Sequence, residues 1–103
     1  MKKILIVDDS VVVRRKLLRL LSAPDTEVVE ACDGQVGLQM VDSHAPDIIL
    51  LDSNMPNLDG LGMLAQLRQT GNSTPVLLVT AEANSSAISS LVSLGGVVDY
   101  IMK

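Results

Sequence analysis

The sequence predicts an α/β domain in which a parallel five-stranded sheet carries helices on both faces. Five apolar runs rich in β-branched residues recur at fairly even intervals, and the segments between them are long enough for helices. Hydrophobic residues make up 48% of the 103 residues, yet only Tyr100 is aromatic, so the core must be aliphatic. Alternating strands and helices imply right-handed crossovers, which bring the carboxyl ends of all strands to one edge of the sheet.

The five predicted strands are 4–7, 27–31, 47–51, 75–80 and 97–102. The segment between the first two strands has the periodicity of an amphipathic helix. Ser10, next to Asp9, is placed to cap the start of this helix. The apolar stripe of the first helix comprises Val13, Leu17, Leu20 and Leu21. The basic residues Arg14, Arg15, Lys16 and Arg19 lie mostly off this stripe.

The second segment predicts a helix that stops before Ala45 and Pro46, because proline disfavours helical geometry in the residue that precedes it. Gly37 interrupts this helix at a cost of roughly 1 kcal/mol relative to alanine. Its inward face comprises Gly37, Leu38 and Val41.

The third predicted helix begins after Gly60, turns Leu64 and Leu67 inward, and ends at Gly71. The fourth, over 83–94, contains five serines between residues 85 and 93, which makes it the weakest helix of the set.

Charge and composition exclude several classes of function. The net charge is −4, and basic residues crowd only the first helix, so nucleic-acid binding by this domain is not expected. No apolar run is long enough for a signal peptide or a membrane span, which predicts a cytoplasmic protein without membrane contact. The single cysteine, Cys32, follows an apolar run and is predicted to be a small buried hydrophobe.

Polar residues terminate the apolar runs on four separate strands. Asp8 and Asp9 follow the first, Asp52 the third, Thr80 ends the fourth and Lys103 follows the fifth. Three converging carboxylates need more positive charge than one lysine supplies, and Mg²⁺ suits oxygen ligands of this kind. We therefore expect Asp9 and Asp52 to bind the metal, with Asp8 acting through water.

A carboxylate beside a divalent cation, a lysine and a hydroxyl can attack a phosphoryl group and carry it as an aspartyl phosphate. Asp52 is the expected nucleophile because it stands alone on its strand. Taken singly, each of these residues has a structural explanation, such as a helix cap for Asp8 and Asp9 or a solvated end for Lys103. Their joint placement at four strand ends favours a functional site.

The chain resembles the receiver domain of bacterial two-component response regulators. The resemblance runs from Lys2 to Lys103 and rests on the blocks ILIVDDS, DG of ACDGQVGL, DIILLDSNMPNLDG, VLLVTAEA and GGVVDYIMK. It implies a flavodoxin-like sheet in the order 2-1-3-4-5, signal transduction as the role, and no enzymatic turnover. Expected partners are a sensor histidine kinase or phosphotransfer protein, and a downstream effector or attached output domain.

The resemblance also assigns roles to individual residues. Asp52 corresponds to the phosphoacceptor, and Asp8 and Asp9 to the acidic pair that holds Mg²⁺, with Mn²⁺ as the alternative ion. The main-chain carbonyl of Asn54 corresponds to a third metal contact. Thr80 and Tyr100 correspond to switch residues, and Lys103 to the lysine that pairs with the phosphoryl group. Partner docking is implied for Arg14, Arg15 and Arg19, with a solvated helix face as the alternative.

The sequence departs from the family where it ends at Lys103, without the proline and fifth helix that normally follow. We therefore expect a single receiver domain, over 1–103, truncated after the fifth strand. The alternative is a scaffold or assembly module that has a receiver fold and no longer signals. A Mg²⁺-dependent phosphatase is less favoured, because such enzymes use a second carboxylate where this chain has Asn54.

Overall fold

The computed structural model describes residues 2–52, 60–80 and 97–102 of the chain. The elements in chain order are β1 Lys2–Val7, α1 Val11–Leu21, β2 Thr26–Ala31, α2 Gly34–His44, β3 Ile48–Asp52, α3 Gly60–Gln69, β4 Val76–Thr80 and β5 Val97–Met102. All five predicted strands are present, and the first three predicted helices lie between them. The predicted fourth helix, over 83–94, lies outside the described residues.

The five strands form one sheet in the order β2-β1-β3-β4-β5, and every neighbouring pair is parallel. This order confirms the flavodoxin-like fold. β1 lies between β2 and β3, and therefore at the point where the order of strands reverses, the usual position for a ligand in such sheets. β3 extends one residue further than predicted and includes Asp52 itself.

Each strand sends alternate side chains to opposite faces of the sheet, and this produces two cores. Leu5 and Val7 of β1 belong to the larger core, which packs against α2 and α3. The buried members of that core are Leu5, Val7, Ala31, Val41, Ile49, Leu51, Met63, Leu64, Leu67, Val76 and Leu78. The inward positions predicted for Val41, Leu64 and Leu67 are thus confirmed.

The opposite face of the sheet packs against α1. Its buried core consists of Ile6, Leu50 and Val79, against which Leu17 and Leu21 of α1 lie. Three strand residues on this face, Ile4, Ile48 and Leu77, are only half-buried.

The orientation of α1 differs from the prediction at two positions. Leu20 was expected on the core stripe but is 73% exposed, whereas Arg14 was expected off the stripe but its side chain is only 15% exposed. Arg14 lies three and seven residues before Leu17 and Leu21, so all three share one face of a helix with 3.6 residues per turn. The helix is therefore rotated away from Leu20 and toward Arg14, while Val13 stays half-buried as predicted.

The helix ends follow recognisable capping rules. Ser10 Oγ accepts a hydrogen bond from Val13 N at 3.3 Å, as predicted, and Asp33 Oδ1 accepts one from Val36 N at 2.9 Å. α2 ends at the predicted place, with Ala45 in the left-handed conformation directly before Pro46.

Beyond the end of α3, Gly71 has a positive φ of 82°, which glycine adopts without steric cost. Arg68 donates to the carbonyl oxygens of Asn72 and Thr74 at 2.9 and 3.0 Å, fixing the connection to β4. Burial lowers the pKa of Arg68 from its ordinary value.

Gly37 is the point of closest approach between α2 and its neighbours. A Cβ atom built at Gly37 would lie 2.9 Å from Met63 Cε, 3.0 Å from Met63 Sδ and 3.1 Å from Val7 Cγ2. Met63 is 1% exposed, so its side chain has little room to move away. Packing therefore favours glycine at position 37, although glycine weakens the helix by propensity.

We expect Gly37→Ala to lower the free energy of unfolding by about 1 kcal/mol. Overpacking costs about 1–3 kcal/mol, and the higher helix propensity of alanine offsets roughly 1 kcal/mol of this. In a Met63→Ala background, the same change should cost less, because the crowded thioether is gone and only the contact with Val7 Cγ2 remains. Urea denaturation of the four proteins in this double-mutant cycle measures both effects. Equal effects of Gly37→Ala in the two backgrounds would contradict this explanation.

Cys32 is exposed, so the prediction of a buried hydrophobe was wrong. β2 ends at Ala31, and Cys32 lies in the turn that leads to Asp33.

Within the described part of the chain, no helix has the length and apolar character needed to cross a membrane.

Candidate functional site

The register of the sheet brings Asp8 and Asp52 together. Val7 pairs with Leu51 across β1 and β3, so the residues that follow them, Asp8 and Asp52, emerge side by side at the carboxyl edge. On the other side of β3, Asp52 pairs with Val79, which precedes Thr80. The convergence predicted from the ends of the apolar runs is thus a direct consequence of parallel pairing.

Three carboxylates form a cluster at this edge. One carboxylate oxygen from each of Asp8, Asp9 and Asp52 lies within 4.8 Å of the others. Asp8 and Asp52 are buried, with 1% and 2% of their surfaces exposed, while Asp9 is exposed. Burying two carboxylates so close together is costly without a compensating cation, because their negative charges repel each other and lose contact with water.

The turn that carries the acidic pair is held by hydrogen bonds. The Asp8 N–H donates to the carbonyl oxygen of Ala31 at 3.1 Å, which ties the end of β1 to the end of β2. The Asp8 side chain accepts a hydrogen bond from Ser10 N at 2.9 Å through Oδ1. Asp8 is therefore fixed by both its main chain and its side chain, and the exposed Asp9 is presented from a constrained turn.

The cluster suits a hard divalent cation. Its donors are all carboxylate oxygens, the ligands that Mg²⁺ and Mn²⁺ take in proteins. Asp8, Asp9 and Asp52 would hold the ion, and the exposed position of Asp9 would leave it accessible to water. The residues present thus fit such an ion.

The other predicted site residues are described in part or not at all. The backbone of Thr80 ends β4 and pairs with Met102 of β5, so Thr80 lies on the strand next to Asp52. Tyr100 pairs with Leu78, two residues before the end of each strand. Asn54 and Lys103 lie outside the described residues.

The basic residues of α1 separate into two groups. Arg15 and Arg19 are exposed, as docking residues would be. On the same helix, Val12 is 77% exposed. Arg14 instead turns inward and contacts Asp8 and Glu30.

Reasoning from the sequence missed these contacts of Arg14. The available signal was its spacing of three and seven residues from Leu17 and Leu21, which places its aliphatic stem over the sheet.

Comparison with known proteins agrees with the fold. Residues 4–103 match the family model described as the response regulator receiver domain. A protein-glutamate methylesterase/protein-glutamine glutaminase from Nocardioides sp. is 40% identical over 104 residues, covering 98% of this chain. The chain spans only 28% of the length of that relative.

Two solved structures are similar over the whole chain. The chemotaxis protein CheY4 of Vibrio cholerae has a TM-score of 0.90 and 28% identity, covering 100% of this chain and 87% of its own. The Mn²⁺-bound form of response regulator Rcp1 has a TM-score of 0.86 and 29% identity, covering 100% of this chain and 81% of its own.

Proposed function

Because the chain belongs to the response regulator receiver domain family, we propose that it is the phosphoacceptor of a two-component phosphorelay, with Asp52 receiving the phosphoryl group. The observation that carries this proposal is the cluster of three carboxylates at the carboxyl edge of the sheet. Among them, Asp52 is the nucleophile because it stands alone at the end of its strand, between Asp8 on one side and Thr80 on the other. Asp8 and Asp9 act as a pair that binds the metal.

Mg²⁺ is the proposed cofactor, with Mn²⁺ as a substitute. Carboxylate oxygens of Asp8, Asp9 and Asp52 would hold it, and the main-chain carbonyl of Asn54 is proposed as a further ligand. When bound, the ion offsets the charge that builds up on the phosphoryl oxygens during transfer.

The reaction is a displacement at phosphorus. An oxygen of the Asp52 carboxylate forms a bond to phosphorus as the bond between phosphorus and the donor breaks, and the donor leaves with the electron pair. With a phosphohistidine donor, the leaving group is the histidine of the kinase or phosphotransfer protein.

The phosphoryl group would then act as a switch. Lys103 is proposed to pair with it, and the hydroxyl of Thr80 to move toward it, while rotation of Tyr100 accompanies the change. One new group with several strong acceptor oxygens can bias two packings of nearly equal energy. Because β4 and β5 are paired from Val76 to Met102, movement at Thr80 has a direct path to the strand that carries Tyr100.

The proposed partners follow from this role. The phosphodonor is a sensor histidine kinase or phosphotransfer protein in the cytoplasm, and the receiver signals to a downstream effector or to an output domain. Arg15 and Arg19 lie on the exposed face of α1 and are proposed to help dock the phosphodonor. The chain itself is proposed to be an acceptor rather than a turnover enzyme.

The test is phosphorylation by a small donor. We expect acetyl phosphate with Mg²⁺ to add one phosphoryl group per chain, visible by intact-mass spectrometry and released by hydroxylamine, as an acyl phosphate requires. Adding excess EDTA before the donor should prevent the adduct, and Mn²⁺ added beyond the concentration of EDTA should restore it. A folded sample that forms no adduct with either metal would overturn the proposal and favour the scaffold alternative.

A further inference from the structure

Arg14 links the acidic pair to two other elements of the fold. From α1, its Nη1 donates to the main-chain carbonyl oxygen of Asp8 at 2.6 Å. Its Nε donates to Glu30 Oε1 on β2 at 3.3 Å, forming an ion pair as well as a hydrogen bond. The side chain of Arg14 is 15% exposed and that of Glu30 is 39% exposed, so the guanidinium is the shielded partner.

The position of this contact is what gives it a function. The carbonyl of Asp8 belongs to the peptide unit that joins Asp8 to Asp9, and a peptide unit is planar. Holding this oxygen fixes the plane from which the Asp9 backbone continues, and so the direction of the Asp9 side chain. The main-chain N–H and the side chain of Asp8 are already held by Ala31 and Ser10. The bond from Arg14 adds the third point of attachment.

We infer that Arg14, oriented by Glu30, is a positioning residue of the metal site. It holds the Asp8–Asp9 peptide so that both carboxylates point toward the oxygen of Asp52. The inference rests on the proposed function, since it concerns affinity for the metal proposed there. A structural tie between α1 and β1 is the competing explanation, and the two differ in what they predict for metal binding.

Whether replacing Arg14 strengthens or weakens Mg²⁺ binding separates a positioning role from a long-range effect of its charge. Removing a positive charge near an acidic cluster makes the site more negative, which by itself strengthens cation binding. Loss of positioning has the opposite effect, because misdirected ligands bind the ion less well. Losing a group that orients a metal ligand typically weakens metal affinity 10–100-fold.

The experiment is a calorimetric titration of the full chain with MgCl₂. We expect Arg14→Met to raise the dissociation constant about tenfold. The matched control is Lys16→Met, which removes one positive charge from an exposed residue two positions further along α1 and should leave the constant unchanged or slightly lower. Arg14→Lys keeps the charge but loses the separate N–H groups that donate to Asp8 and to Glu30, so it should also bind Mg²⁺ more weakly than the wild type.

A second pair of variants tests the role of Glu30. We expect Glu30→Ala to weaken Mg²⁺ binding several-fold, because the Arg14 guanidinium then loses the partner that orients it. The control is Glu27→Ala, which removes the same charge from the same strand but from the partner of Lys3. These variants, with Arg14→Lys, keep the inference testable should Arg14→Met fail to fold.

Stability measurements distinguish a positioning role of Arg14 from a purely structural one. Each variant is unfolded by urea with EDTA and again with a fixed Mg²⁺ concentration, and the gain from the ion is compared. A structural tie lowers both stabilities equally and leaves the gain unchanged, whereas a positioning role reduces the gain. Folded Arg14 variants with wild-type Mg²⁺ affinity would overturn the inference alone. A wild-type chain that binds no Mg²⁺ would overturn it together with the proposed metal site.

Discussion

Replacing Asp52 with Asn is expected to abolish the phosphoryl adduct and at the same time to stabilise the metal-free protein. The amide cannot act as the nucleophile, so incubation with acetyl phosphate and Mg²⁺ should leave the mass unchanged. Asp52 is 2% exposed and its carboxylate lies within 4.8 Å of two others. Removing one of three clustered negative charges relieves repulsion and a desolvation cost, which we expect to raise the free energy of unfolding in EDTA by about 1–2 kcal/mol.

The order of stabilities should reverse when the ion is added. Mg²⁺ stabilises whichever protein binds it, and Asp52→Asn has lost one of the proposed ligands. Urea denaturation with EDTA and with excess Mg²⁺ measures both orders. The matched control is Asp42→Asn, an exposed position on α2 with the same change in charge, where stability should shift by less than about 0.5 kcal/mol.

Two results would contradict this account of Asp52. A phosphoryl adduct that persists in Asp52→Asn would show that another residue is the acceptor. A variant no more stable than the wild type in EDTA would show that the carboxylates do not repel one another in the metal-free protein. The first result bears on the chemistry and the second on the electrostatics, so either can be wrong without the other.

The acidic cluster could be predicted because parallel sheets leave little freedom at their carboxyl edge. A buried strand such as β3 reads as an uninterrupted aliphatic run, and its end is marked by the first charged residue, Asp52. Once β1 and β3 are known to be neighbours, Asp8 must lie beside Asp52. That neighbour relation came from the family resemblance rather than from periodicity, which does not specify the order of strands.

The errors arose where side-chain periodicity had to supply a direction. A helix as apolar as α1 has several candidate stripes, and periodicity did not separate the one centred on Leu17 and Leu21 from one that includes Leu20. Arg14 was placed away from the core because it is charged, although a long aliphatic stem lets arginine lie over apolar surface while its head forms hydrogen bonds. The decisive factor was an acceptor, the carbonyl of Asp8, that only the tertiary structure provides.

Cys32 shows a related limit of sequence reasoning. An apolar run predicts burial up to its last strand residue but not beyond it, and β2 ends at Ala31. β2 does not continue beyond Ala31, because Asp33 already caps the start of α2. The residue between these two fixed points is in a turn and exposed, whatever its hydrophobicity.

The two members of the acidic pair should respond differently to substitution, because Asp8 is buried and Asp9 is exposed. We expect Asp9→Asn to weaken Mg²⁺ binding by about 100-fold or more, since it removes a proposed ligand, while changing the unfolding free energy in EDTA by less than about 0.5 kcal/mol. Asp8→Asn should weaken binding as strongly. Calorimetric titration with MgCl₂ measures the affinities, with Asp42→Asn as the control for net charge.

Besides its proposed role in binding the metal, Asp8 accepts a hydrogen bond that holds the turn, and Asp9 does not. A third variant, Asp8→Ala, separates these two roles of Asp8. Its Oδ1 accepts the Ser10 N–H at 2.9 Å, at the residue that caps α1. Asn at position 8 can still accept that bond, whereas Asp8→Ala leaves the amide without it. Asp8→Ala should therefore be about 1 kcal/mol less stable than Asp8→Asn in EDTA, although neither binds the ion well. Equal stabilities would mean that the hydrogen bond from Ser10 does not hold the turn, and Asp9 would then owe its direction to Arg14 and the strand alone.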